Sequence, residues 1–137
     1  NFNGADIVRK TIEAGGEYLV MWASDNECAF YNTKLMPKPL GIGERDPFRE
    51  TVDEAAKHGL PVIAYVTMQY NGHMWRNHPE FRMKDQDGKE LQNRLCFNSP
   101  YRATVRQIIS ELAAYPIQGF HLDMNDMGLA DPMGCFC

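Results

Sequence analysis

Three short apolar runs, each preceded by an amphipathic helical pattern, predict an α/β chain. The expected fold is a partial TIM (β/α)8 barrel of about three βα units with parallel strands. Two further observations favour the barrel over an open doubly wound sheet. Helix-to-strand links are two or three residues long (Gly15-Gly16, Gly59-Leu60), whereas the strand-to-helix links, Ser24–Arg45 and Tyr70–Ser99, are long. Short loops at one end of a sheet and long ones at the other are the pattern of barrels whose βα loops build the site.

Taken in order, 5–14 carries Ile7, Val8 and Ile12 at helical spacing and stops at Gly15-Gly16. The run 17–23 (EYLVMWA) reads as the first strand. Asp46 followed by Pro47 is a cap with proline at the first helical position, and Phe48, Val52, Ala55 and Ala56 line one face before Gly59. The second strand is 61–69 (PVIAYVTMQ). Ser99-Pro100 repeats the start signal for a helix over 101–114, with Val105, Ile108, Ile109 and Leu112 as its stripe and Pro116 after its end. The third strand is 119–124 (GFHLDM).

The 137 residues are 44% apolar and 23% charged, an ordinary globular composition. Fourteen Lys and Arg against eighteen Asp and Glu give a net charge of −4, which argues against nucleic acid or an anionic membrane as partner. No apolar run is long enough for a bilayer-spanning helix. The opening residues show no basic-then-apolar leader pattern, which leaves localisation unassigned. A complete barrel takes eight strands and about 250 residues. Residues 1–137 are therefore expected to be a fragment of a single barrel domain, its sheet completed by the remainder of the barrel or by a homo-oligomer partner.

The strand ends carry the candidate chemistry. In the third strand Phe120, Leu122 and Met124 share one face, and His121, Asp123 and Asn125 share the other. In a barrel the apolar face packs under the helices and the polar face looks to the axis. This puts Asp123 in the mouth, with Asp126 just beyond, although an Asp at a strand end serves a loop or a structural pair equally well. Tyr65, Thr67 and Gln69 share a face of the second strand, and Ser24, Asp25, Asn26 and Glu27 follow the first. Trp75 lies on the loop after the second strand, where a ring suits the apolar face of a sugar or pins the loop to the barrel.

Several chemistries are excluded. Gly41-Ile42-Gly43 lacks the Lys-Ser/Thr of a phosphate loop, no G-x-S-x-G elbow is present, and His73 and His78 lack the acidic partner of a histidine metal site.

Seven segments occur in a characteristic order: NFNGADIV, ASDNECAFYNTK, GIGERD, AAKHGLPVIAY, HPEFRMKDQDG, CFNSPYR and GFHLD. In this order the chain resembles a glycoside hydrolase barrel family related to the α-L-fucosidases of family 29 and the β-galactosidases of family 42. The resemblance implies cleavage of O-glycosidic bonds by carboxylate chemistry. A barrel that binds carbohydrate without cleaving it is the alternative. It also implies that Asp123, the last residue of GFHLD, matches the fucosidase-like nucleophile, and that Asn125-Asp126 stands where family 42 carries Asn-Glu. Asp123 and Asp126 are accordingly the candidate catalytic residues, and Asp25, Tyr65, Gln69, Trp75, His121 and Asn125 the candidate carbohydrate contacts. The Lys or paired His that fucosidases place after the first of these strands is absent, since Ser24, Asp25 and Asn26 stand there.

No cofactor is expected in the chemistry itself. Of the cysteines, the Cys135-Phe136-Cys137 pair suits two thiolates on one tetrahedral metal, while reduced thiols and a disulfide remain open. The resemblance to family 42 implies a structural zinc held by Cys96, Cys135 and Cys137, with a fourth thiolate falling past the last residue. Cys28 has no place in that pattern and reads as a free loop thiol.

Overall fold

A computed structural model of the chain describes residues 2–124 and 135–136. Its elements run α1 (Gly4–Glu13), β1 (Leu19–Ser24), α2 (Pro47–Lys57), β2 (Val62–Thr67), α3 (Gly72–Asn77), a 3-10 turn (Pro79–Phe81), β3 (Arg82–Lys84), β4 (Glu90–Leu95), α4 (Tyr101–Leu112) and β5 (Gly119–Asp123). β1, β2 and β5 form one parallel sheet in the order β1-β2-β5, so both crossovers pass through a helix. This is the α/β architecture of a partial barrel.

The helix boundaries follow local chemistry. Asn3 caps α1 by accepting from the Asp6 N–H at 3.1 Å. Asp46 caps α2 through the Arg49 N–H at 2.7 Å, with Pro47 in the first turn. Gly59, at φ +64°, ends α2, and the Leu60 N–H returns 3.0 Å to the Ala55 carbonyl. At α4 the Ser99 hydroxyl accepts the Tyr101 N–H at 3.2 Å while Pro100 already has helical angles. α1 and α2 cross closely because Gly4 has no side chain. A Cβ there would lie 2.9 Å from the Thr51 backbone nitrogen.

Helices and sheet enclose one core. Val62, Ala64 and Val66 of β2, with Met21 and Ala23 of β1, are buried together with Val8, Phe48, Val52, Ile108 and Leu112 from the helices. The expected split of faces holds on β2 for the apolar set, whereas of Tyr65, Thr67 and Gln69 only Tyr65 is not buried. The split is incomplete on β5, where Leu122 keeps 40% of its surface. β5 is the sheet edge.

The segment 70–99, read from the sequence as one long loop, is structured instead. Asn71 caps α3 through the Met74 N–H at 2.8 Å, and β3 and β4 pair antiparallel. The Asp85 carboxylate closes their turn on the N–H groups of Asp87 and Lys89, both at 2.9 Å, with Gly88 at φ +78°. The second strand of this hairpin also bonds the segment after β2, the Asn71 N–H reaching the Asn93 carbonyl at 2.8 Å. Buried Leu95 joins the hairpin to the core.

Candidate functional site

The unburied face of the parallel sheet carries the candidate chemistry. Register sets Trp22 opposite Tyr65 and Tyr65 opposite His121, so three aromatic side chains form a row across β1, β2 and β5. The Trp22 and Tyr65 rings lie 4.5 Å apart between centroids, and those of Tyr65 and His121 5.1 Å apart. Trp22 is 47% exposed and His121 is exposed as well. Thr67 pairs with Asp123 one step nearer the carboxyl ends of the strands. The carboxylate therefore stands at the rim of an aromatic floor.

Asp123 is fixed through both oxygens. The Tyr65 hydroxyl donates to Oδ2, and the Met124 N–H donates to Oδ1 at 2.7 Å. Met124 reaches that position at φ +56°, a left-handed angle that costs a non-glycine residue roughly 1–2 kcal/mol. The turn directly after β5 thus aims a backbone donor at the carboxylate. The Tyr65 hydroxyl, and after it the Met124 N–H, hold the Asp123 carboxyl below its ordinary range. The same bond to a negative partner pushes the Tyr65 phenol up to about 12. At neutral pH the pair is a carboxylate beside a protonated phenol.

The other expected contacts fall elsewhere. Gln69 is 1% exposed and lies within the wall, its N–H on the Met124 carbonyl at 3.0 Å and its carbonyl accepting the Leu95 N–H at 2.8 Å. Burial follows because the chain past β2 runs between β5 and the hairpin. Asp25 closes its own loop by accepting the N–H groups of Glu27 at 2.8 Å and Cys28 at 2.7 Å. Trp75 packs against the core, with the Arg82 guanidinium 4.3 Å over its ring. One of its faces is therefore covered. The structure brings Tyr65, His121 and Asp123 together and leaves Gln69, Asp25 and Trp75 apart from them. Asn125, Asp126 and Cys137 lie outside the described residues. Trp22 is absent from the sequence-based set. Its strand is apolar on both faces, so alternation carried no signal there and only the register with Tyr65 reveals it.

A second cluster lies beyond the hairpin. Cys135 Sγ is 3.3 Å from Cys96 Sγ, and the Phe136 N–H donates 2.9 Å to the Lys84 carbonyl. Two thiolates on one tetrahedral zinc, each about 2.3 Å from the metal, stand somewhat under 4 Å apart, so the pair fits two positions of such a site. Among the described residues no group of three His, Cys, Asp or Glu side chains is close enough to hold a metal. Neither is any helix among them long and apolar enough to cross a membrane.

The fold matches solved structures, glycosidases among them. An α-L-fucosidase isoenzyme 2 from Paenibacillus thiaminolyticus superposes with a TM-score of 0.81 over 100% of this chain, at 17% identity. A GH29 α-L-fucosidase from Bacteroides thetaiotaomicron gives 0.59 over 89% of this chain and 27% of its own, at 18% identity. A hypothetical protein from Ruminiclostridium thermocellum gives 0.68 over 88% of this chain and 68% of its own, at 13% identity. The chain spans 22% of the Paenibacillus fucosidase. Comparison with curated proteins finds no match. The sequence profile of hypothetical glycosyl hydrolase 6 matches residues 3–124, nearly all of the described chain, and the chain belongs to that family.

Proposed function

We propose that residues 1–137 form the early βα units of a glycoside hydrolase barrel in which Asp123 acts at the anomeric carbon. The observation that carries this reading is the ionised, doubly hydrogen-bonded Asp123 at the carboxyl end of a parallel strand, above the open row of Trp22, Tyr65 and His121. Glycosidic cleavage needs a carboxylate facing the oxocarbenium-like centre and an acid that protonates the leaving oxygen. Asp123 takes the first role, either bonding to the anomeric carbon as the glycosidic bond breaks or stabilising the charge while water attacks. Asp126, or a carboxyl group from a later strand of the longer protein, supplies the proton. Within the aromatic row, Trp22 and His121 face the apolar side of the sugar ring.

The fold likeness to α-L-fucosidases makes α-L-fucosides the first substrates to test, and the sequence resemblance to family 42 makes β-D-galactosides the second. The full-length protein should release 4-nitrophenol from one member of a panel of 4-nitrophenyl glycosides. Binding of a sugar in the panel without release would support a silent carbohydrate-binding barrel, and neither release nor binding would remove the carbohydrate reading.

We further propose that Cys96 and Cys135, with Cys137, hold a structural zinc. When bound it would brace the segment that follows the active-site strand, and with sulfur ligands it would take no part in cleavage. Metal analysis of the full-length protein should give about one zinc per chain, lost in Cys96→Ser. Less than a tenth of an equivalent in the wild type would eliminate the site.

A further inference from the structure

Tyr65 was expected to touch carbohydrate, yet its polar atom is already engaged. Its ring lies between two others, Trp22 at 4.5 Å and His121 at 5.1 Å between centroids, and its hydroxyl points along the strand to Asp123 Oδ2. Packing on both sides leaves the ring little freedom, so the hydroxyl is delivered to one place. The other carboxylate oxygen takes the Met124 N–H at 2.7 Å. The two donors come from β2 and from the turn after β5 and fix the carboxylate plane, leaving each oxygen one further lone pair.

We infer that Tyr65 is a positioning residue for Asp123: it orients the carboxylate and is not itself a contact to sugar. The inference rests on the proposed role of Asp123. A carboxylate that attacks or shields an anomeric centre must present a fixed lone pair, and a misplacement of about 1 Å is enough to cost on the order of a hundredfold in rate. A bond to the ionised form favours that form over the acid. The titratable groups facing Asp123 among the described residues are Tyr65 on β2 and His121 on β5. Of these only Tyr65 hydrogen-bonds the carboxylate directly, so its removal is the informative change.

The test uses the full-length protein. Tyr65→Phe keeps the ring between Trp22 and His121 and deletes the hydroxyl alone. Carbon-13 NMR titration of the Asp123 carboxyl should show its pKa rising in the variant. On the 4-nitrophenyl glycoside that the wild type cleaves, kcat should fall by roughly tenfold to a hundredfold with KM little changed, and the acid limb of kcat/KM should move up with the carboxyl. An unmoved carboxyl pKa and acid limb would overturn the inference, as would a raised KM with unchanged kcat, which would make Tyr65 a sugar contact. If Tyr65→Phe does not fold, Asp123→Asn gives the reciprocal reading. The Tyr65 phenol should then titrate near its ordinary value of about 10, and a phenol left high would overturn the pairing. Full turnover in Asp123→Asn would instead remove the role of Asp123, and the inference with it. That result is recognisable because the Tyr65 phenol of Asp123→Asn would still fall toward its ordinary value.

Discussion

The two faces of the parallel sheet differ in what finishes them. On the outer face Ala23, Val62, Ala64 and Val66 are at most 1% exposed beneath helices that this chain itself supplies. On the inner face Val20 keeps 40% of its surface and Trp22 47%, and Tyr65, His121 and Asp123 stand beside them. The outer face is small aliphatic groups packed by crossover helices, the ordinary solution for a parallel sheet. The inner face concentrates the groups that have chemistry to offer. The contrast separates what holds the fold from what acts, and substitutions on the two faces should have opposite signatures.

Stability should respond most on the outer side. Phe48 is fully buried on α2, its ring 5.3 Å from that of Tyr115. Phe48→Ala should cost about 3–5 kcal/mol, read as a lowered urea midpoint. Activity should be lost only in proportion to the unfolded fraction. A smaller change with specific loss of activity would blur the contrast between the faces.

Trp22→Ala makes a comparable cut on the inner face. Half of that ring is already exposed, so the loss should be nearer 1–2 kcal/mol, with a clear rise in KM. A loss as large as that of Phe48→Ala in the full-length protein would mean that further strands close tightly over the row, leaving no room for a sugar.

The smallest effect is a pH dependence. Asp123 is held below its ordinary range, so its bond stabilises the fold above about pH 4 and is lost as pH falls through the lower folded value. Tyr65 is raised to about 12, so its share is present below about pH 10 and is lost as pH rises toward that value. The Tm difference between wild type and Tyr65→Phe should therefore be flat between about pH 4 and 10 and should shrink on both sides. A difference independent of pH across the whole range would show that the hydroxyl contributes only packing.

Much of the outer face is legible in the sequence because it depends on local rules. Asp46-Pro47, Gly59 and the stripes Phe48-Val52-Ala55 and Ile108-Leu112 specify helices that need one buried side. Asp123 is also legible, since His121 and Asp123 alternate with Phe120 and Leu122. The hairpin at 82–95 is less visible. Its alternation is broken by charged residues on a short edge, although Asp85-Gln86-Asp87-Gly88 is a turn signal in hindsight. Neither the burial of Gln69 nor the row with Trp22 can be read from one strand, because both depend on register and on which segments meet. The same holds for Trp75, where the residue type is visible but not the Arg82 side chain that covers it.

The most direct test of the account is the turnover of Asp123→Asn in the full-length protein, on the glycoside that the wild type cleaves. The substitution keeps shape and hydrogen-bonding capacity but removes the charge. A carboxylate acting at the anomeric carbon predicts a fall in kcat of at least about a thousandfold, with a thermal midpoint at neutral pH within a few degrees of wild type. Turnover within tenfold of wild type by a folded variant would contradict the claim that the open face of this sheet is where the bond is broken.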